Sequence, residues 1–426
     1  MKRSTLRTIS QEAKRLEIPL IYIHSVGFYA SFSLQLPAVF PLVETHPDPT
    51  STQDLRLTNP WPELVAAAKK IDNLDTLDDH QHGHVPYLLL LLHFLEKWKA
   101  NHNGLYPQNY REKSEFRDMV RAAARTNNPE GGEENFDEAV AAVLKSINTW
   151  SLSSGLREIF EMDQCSNLDK YSDRFWIIVS AVKKFYSKHG VLPLPGSLPD
   201  MKAQSADYIW LQNIYKSKAR LDLAEVVATV RATETRLMDV PQNGTSNRAS
   251  SISEKQIETF CKNAAHIKMI KGRDIPLLSE DEDGNDETRK SIKTIQNNLG
   301  NPESLIPIFI ALHALDSLVT DYQESASPSQ SSSSYLDDNE NWKLALSRLY
   351  GRLGLDDSDE SDSRSRIEAA AKEVRRAGAG ELHNTSALAG GFVAQEALKV
   401  ITKQYVPLDN TFVFDGVKCH GEMFRL

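Results

Sequence analysis

Residues 386–402 spell a helix that is apolar on nearly every side, with Ala387, Ala389, Gly390 and Gly391 allowing close backbone approach. Such a helix must lie against something large, and a sheet is the natural cover. Strand signals sit only at the two ends of the chain. Ile18-Pro19-Leu20-Ile21-Tyr22-Ile23 is a short apolar run, and Ser31-Phe32-Ser33-Leu34-Gln35-Leu36 alternates with a strand period. Behind the apolar helix come residues 405–408, then Thr411-Phe412-Val413-Phe414, Asp415-Gly416 and Val417-Lys418-Cys419. Asp-Gly between short strands signals a hairpin. Two strands without a packed face are marginal in water, so neither end suffices alone. The expectation is one α/β unit built from residues 1–60 and 378–426, with 61–377 inserted as a separate helical lobe.

The insertion carries helical patterns at 87–99, 110–125, 136–148, 174–189, 205–238, 254–271, 306–322 and 342–353, and another helix opens the chain near 6–16. Tyr208, Leu211, Tyr215, Ala219 and Leu223 recur at three- and four-residue spacing and put one stripe on one helix face. Four polar stretches interrupt the region, at 243–253, 280–287, 325–334 and 356–366, and each reads as a solvated loop. Apolar residues make up 40% of the 426, enough for a substantial core.

Charge narrows the functions. Forty-nine basic against 58 acidic residues leave a net charge of −9, which argues against a general nucleic-acid binder. The stretch 19–43 is broken by His24, Ser25, Ser31, Ser33, Gln35 and Pro37, and a spanning helix is cleaner than that. No membrane partner is expected. Cys165, Cys261 and Cys419 form no CxxC pair, so neither a disulfide framework nor a zinc ribbon fits, and a reducing intracellular compartment does.

The search for chemistry assigns no catalytic, cofactor-binding or metal residue. No GxGxxG follows an opening strand and no GxxxxGK[ST] occurs; Gly378-Ala379-Gly380-Glu381 precedes a polar turn instead of joining strand to helix. Asp78-Asp79-His80-Gln81-His82-Gly83-His84 has ligand chemistry, since alternate residues of an extended segment point the same way. No second ligand cluster accompanies it, and its place before an apolar helix suits structural contacts. Cys165 sits among acids that would raise its pKa, Cys261 falls mid-helix, and Cys419 lies in the closing hairpin beside His420.

Several segments are more specific than these motifs. Phe40-Pro41-Leu42-Val43-Glu44-Thr45-His46-Pro47-Asp48, Asp54-Leu55-Arg56-Leu57 and Pro60-Trp61-Pro62-Glu63-Leu64 open a series. It continues through His82-Gly83-His84-Val85-Pro86-Tyr87, Asn103-Gly104, Phe116-Arg117-Asp118, Glu134-Asn135-Phe136 and Leu198-Pro199-Asp200-Met201. Leu211-Gln212-Asn213-Ile214-Tyr215, Ser251-Ile252-Ser253-Glu254-Lys255, Ala394-Gln395-Glu396, Ile401-Thr402-Lys403-Gln404-Tyr405, Asn410-Thr411 and Phe414-Asp415-Gly416 complete it. In this order, over essentially the whole chain, the sequence resembles the regulatory subunit of the heterodimeric activating enzyme for the neddylation modifier, the amyloid-precursor-protein-binding-protein family.

The resemblance implies an incomplete Rossmann-like adenylation fold of α/β class with a large, mainly α-helical inserted domain, the counterpart of the catalytic-cysteine domain. It implies a regulatory, non-catalytic subunit that scaffolds a catalytic partner and helps bind the ubiquitin-like modifier. ATP and Mg would sit in that partner, and the setting would be cytoplasmic or nuclear. The family begins with a long segment that this chain lacks, thought to supply an arginine toward the partner's ATP and much of the dimer contact. No residue here inherits that role, and an exposed sheet edge and an uncovered apolar face are expected. The rival reading is a free-standing helical adaptor that recruits partners through its acidic loops at 280–287 and 356–366.

Overall fold

The computed structural model describes residues 3–48, 54–71, 73–126, 131–148, 151–238, 251–278, 286–325, 332–355 and 362–426. Six strands occur among them: β1 (Leu20–Val26), β2 (Tyr29–Gln35), β3 (Phe40–Val43), β4 (Ile267–Ile270), β5 (Thr411–Asp415) and β6 (His420–Phe424). Four form one sheet in the order β1-β2-β5-β6, and β3 pairs with β4. The chain separates into two compact units, residues 1–42 with 269–426, and residues 43–268.

The first unit is built around the four-stranded sheet. Leu20 to Val26 pair antiparallel with Gln35 to Tyr29, Tyr29 to Ser33 pair with Asp415 to Thr411, and Thr411 to Asp415 pair with Phe424 to His420. The two ends of the sequence do come together, as the apolar helix required. The sheet is antiparallel throughout, and its only parallel contact is an isolated bridge between Gly27 and Glu381. It does not itself display the parallel crossovers of a Rossmann-like fold.

Alternation gives the sheet two apolar faces. Ala30 and Phe414 pack on Ala389 of the helix His383–Thr402, and the Phe412 ring lies 5.0 Å from that of Phe392. On the opposite face Val26, Val413 and Phe424 join the core of the helices Ile306–Ser325, Asn339–Leu353 and Asp362–Ala377, with Phe309, Ile310, Leu312, Trp342, Ile367 and Val374 buried. Each fully buried side chain of this size contributes roughly 1.5–3 kcal/mol. This packing moves the domain boundary. The division expected at 60 and 377 lies instead at 42 and 268, because residues 269–377 supply the helices that cover the sheet.

The helix His383–Thr402 departs from its expectation. It buries Thr385, Ala389, Glu396 and Val400, whereas Leu398 is 57% and Ile401 75% exposed. One face rests on the sheet, and nothing among the described residues covers the other. Its buried carboxylate Glu396 accepts from Lys399 Nζ (2.6 Å) and from Leu408 N (2.7 Å), which fixes the return of the chain toward β5.

Other differences have local causes. Residues 362–366, read as part of a polar loop, form the first turns of the helix Asp362–Ala377; its apolar stripe lies further on, at Ile367, Ala370, Ala371 and Val374. The remainder of that stretch, and most of the other three polar stretches, lie outside the described residues. The helix expected over 254–271 ends at Lys262, and Ile267–Ile270 is a strand. Asn263 donates back to Thr259 O (2.9 Å) at that end, where the helix gives way to a short turn. In the closing hairpin Asp415 Oδ1 accepts from Val417 N and Lys418 N, so the turn is longer than two residues and the second strand begins at His420.

The second unit is helical. Leu88 to Leu92 of the helix Tyr87–Asn101 are its centre, surrounded by Phe116, Val120, Phe136, Ala139, Val143, Leu211 and Tyr215. The flanking helices start where the sequence supplies an acceptor for exposed amides. Asn109 Oδ1 caps Tyr110–Ala122, Asp173 caps Arg174–His189, and Ser253 with Gln256 forms a capping box on Glu254–Lys262. Among the described residues no helix is long and apolar enough to cross a membrane.

The sheet-bearing unit should be acid-labile through one buried ring. His313 Nε2 donates to Pro276 O (2.9 Å), and burial pushes its pKa down to about 4, with Asp316 opposing and Arg3 and His24 assisting. The unfolded chain therefore binds the extra proton between pH 6.5 and 4. Stability from this group is complete above 6.5 and is lost as pH falls toward 4. Denaturant unfolding at pH 7 and pH 5 should show the wild type losing about 2 kcal/mol more than His313→Gln across that interval.

Candidate functional site

A cleft of about 1090 Å³ is lined wholly by residues of the second unit. One wall is the extended run Leu192-Pro193-Leu194-Pro195-Gly196-Ser197-Leu198-Pro199. Its three prolines lack amide donors, and each disfavours helical backbone in the residue before it, so the run stays out of a helix. The second wall is the helix Ser205–Met238, which presents Gln212, Lys216, Ala219, Arg220 and Leu223. Lys145 and Ser146 close one end, and Glu258, Cys261, Lys262 and the turn Ala264–His266 close another.

Four anchors hold the proline run in place. The Arg56 guanidinium donates to Leu192 O and pairs with Asp54, Nε to Oδ2 at 2.6 Å. Leu194 N donates to buried Asp222 Oδ2 (3.0 Å), whose other oxygen receives Lys218 Nζ (2.7 Å). Gly196 has φ +82, and a Cβ there would stand 2.7 Å from Ala219 Cβ, so only glycine lets run and helix approach this closely. Tyr215 OH donates to Leu55 O (2.7 Å) and its ring meets Trp61 edge-on at 5.0 Å, which ties the helix to the floor.

The charge of the cleft is opposite to that of the chain. Asp54 is taken by Arg56 and Glu258 by Lys262 at 2.7 Å, and Asp48 is the third acid of the lining. Lys216 Nζ reaches only the neutral amide of Gln212 (2.7 Å), and Lys145 and Arg220 point to solvent with no acid on them among the described residues. Burial pushes His266 down from its usual range, leaving it neutral at pH 7. Cys261 is raised to about 12 by burial and then by Asp222 and Glu258, so its thiol stays protonated. The arrangement is suited to binding, and the buried Cys261 thiol is not poised as a nucleophile.

The residues singled out in the sequence do other work. His80, Gln81 and His82 lie on a helical turn capped by Asp78, not on an extended segment. That turn sends His82 inward, where Nδ1 meets buried Glu133 Oε1 at 2.7 Å and the ring stacks on Phe136; His80 and His84 stack on each other outside. Asn135 donates to His82 O and Val85 O, completing a buried polar clasp. Among the described residues no group of three or more His, Cys, Asp or Glu could hold a metal ion. Gly380 O accepts from Gly27 N (2.8 Å), and a Cβ on Gly27 would stand 2.8 Å from Ala377 Cβ, so the glycine-rich turn clasps the β1–β2 hairpin. Cys165 is raised, but burial is the cause and the neighbouring Lys183 opposes it. Cys419 is exposed at φ +51, its Sγ 3.8 Å from Gly416 O. The cleft itself escaped sequence reading; the alternating prolines 193, 195 and 199 were the signal available.

No protein-family model matches the chain. Among curated proteins it is similar to the NEDD8-activating enzyme E1 regulatory subunit of Xenopus laevis, 33% identical over 100% of this chain and 76% of the relative. It is 34% identical to the NEDD8-activating enzyme E1 regulatory subunit AXL of Arabidopsis thaliana, over 90% of this chain and 68% of that protein. The NEDD8-activating enzyme E1 regulatory subunit of Saccharomyces cerevisiae is 23% identical over 96% of this chain and 72% of its own length.

Gly196→Ala tests how the wall is held. A residue with Cβ is strained at positive φ, by about 1–3 kcal/mol, and here it also meets Ala219. Chemical denaturation should show a loss of that order, and hydrogen exchange at Ser197 and Leu198 should quicken before the rest of the unit.

Proposed function

The chain belongs to the family of NEDD8-activating enzyme E1 regulatory subunits, and from that membership we propose that it is the non-catalytic half of a heterodimeric activating enzyme. The similarity over the full chain to the Xenopus laevis relative is the observation that carries this reading. In it, a catalytic subunit holds ATP and Mg, adenylates the modifier and carries it as a thioester. This chain scaffolds that subunit and helps to bind the modifier. Its sheet-bearing unit is then a derivative of an adenylation-type α/β fold, and its place of work is the cytoplasm or nucleus.

Residue chemistry supports the division of labour. A thioester needs a thiolate, and Cys165 and Cys261 are both buried thiols with raised pKa. A nucleotide needs amides free to receive phosphate, and in the glycine-rich turn Gly378 N and Gly380 N already donate to Arg375 O and Ala377 O.

Reconstitution of the full chain with a catalytic subunit, NEDD8, ATP and Mg tests the proposal. The expected outcome is a NEDD8 thioester only when both subunits are present, carried on the other subunit, and no saturable ATP binding by this chain alone in calorimetry. A thiol-sensitive NEDD8 adduct on this chain, removed by Cys165→Ala, Cys261→Ala or Cys419→Ala, would overturn it. Failure of the two subunits to co-purify, with capture of unrelated proteins instead, would favour the free-standing adaptor.

A further inference from the structure

We propose that the cleft in the second unit is a docking groove for an extended, acidic peptide segment of a partner protein, with apolar residues interleaved among its acids. Charge complementarity is the first argument. The chain as a whole carries −9, yet in this cleft Asp54 and Glu258 are neutralised internally and, among the described residues, no acid holds Lys145, Lys216 or Arg220. A patch of opposite sign on an acidic protein attracts anionic partners and repels further copies of the chain.

The second argument is the shape and lining. The lining also contains Leu55, Leu194, Leu198 and Leu223, which ask for apolar side chains from the occupant. The volume of about 1090 Å³ is at the upper end of small-ligand sites, which run to roughly 1,000 Å³. The wall at 192–199 is an extended, proline-bearing run that makes no strand pairing, and an extended ligand lies naturally along it. A nucleic acid fits less well. Single strands are held by rows of aromatic platforms, and Tyr87 is the one Phe, Tyr or Trp in the lining, with His266 the one imidazole.

Anchoring makes the groove rigid before anything binds. Arg56, Asp222, Gly196 and Tyr215 fix its wall and floor from behind, so the cations need only meet the ligand and little ordering is required. The lining of the groove belongs entirely to residues 43–268 and takes nothing from the sheet-bearing unit.

The test uses the full chain and a fluorescein-labelled peptide in which Glu, Leu and Ser alternate, followed by anisotropy. Saturable binding is expected, weakening as salt rises. The triple variant Lys145→Glu, Lys216→Glu, Arg220→Glu should lose at least about tenfold in affinity, a change of roughly 1.4 kcal/mol. Leu223→Ser should lose several-fold without altering the salt dependence, and circular dichroism of both variants should match the wild type. A peptide with Lys in place of Glu should not bind. Unchanged affinity in the triple variant, absence of binding by the wild type, or equal binding of the Lys peptide each overturns the proposal. Displacement of the peptide by a single-stranded oligonucleotide at lower concentration than by unlabelled peptide overturns the choice of ligand.

Discussion

The ladder between β2 and β5 is the contact on which the sheet-bearing unit depends. It places Ser33 against Thr411, with their buried hydroxyls 3.0 Å apart although 378 residues separate them. Without it the β1–β2 and β5–β6 hairpins are two isolated pairs, and the core of helices below them has no floor. Closing so long a loop is less demanding than it sounds. The entropic cost rises as the logarithm of length, so 378 residues cost only about 2 kcal/mol more than 40. What length does affect is rate, since the ladder must wait for distant partners to meet. Of the residues between, 43–268 fold around a core of their own, centred on Leu88 to Leu92.

Sequence periodicity foretold most of this. The helices at 174–189 and 205–238 occur with those bounds, because their apolar spacing and polar entries are local properties. The reunion of the chain ends was also legible, since an apolar helix and a few lone strands left no other cover. Three things were not. The boundary at Leu42 and Lys268 depends on which face of the sheet the helices at 306–325 and 362–377 choose, a tertiary matter. The strand at Ile267–Ile270 follows a helix without a glycine or proline stop, so pattern alone extended the helix through it. The exposed side of the helix His383–Thr402 reverses a hydrophobicity argument that knows composition and not how much sheet is present.

The cleft was hidden for a different reason. Its parts come from 45–55, 145–146, 192–199, 212–223 and 258–266, and no motif links them. The groups that shape it are polar residues turned inward. Asp222 interrupts the buried stripe of Leu211, Tyr215 and Val226 on its helix, yet it is buried and satisfies both an amide and an ammonium. A buried carboxylate left unpaired would be costly, so its position is as constraining as that of any leucine. The histidine run shows the converse. It looked like ligand chemistry in one dimension, and the helical turn split it into a buried clasp and an outer stacked pair.

The pairing of β3 with β4 has an evolutionary consequence. Val43 opens the helical unit and Lys268 closes it, and the strands that carry them are hydrogen-bonded neighbours, spaced by roughly 4.8 Å. Entry and exit are therefore about as close as the ends of a hairpin, which a turn of about two residues can bridge. Along the chain, residues 43–268 are a single excursion whose two ends lie side by side. A lineage can enlarge, remodel or exchange that cassette while the host sheet experiences only a change of loop length.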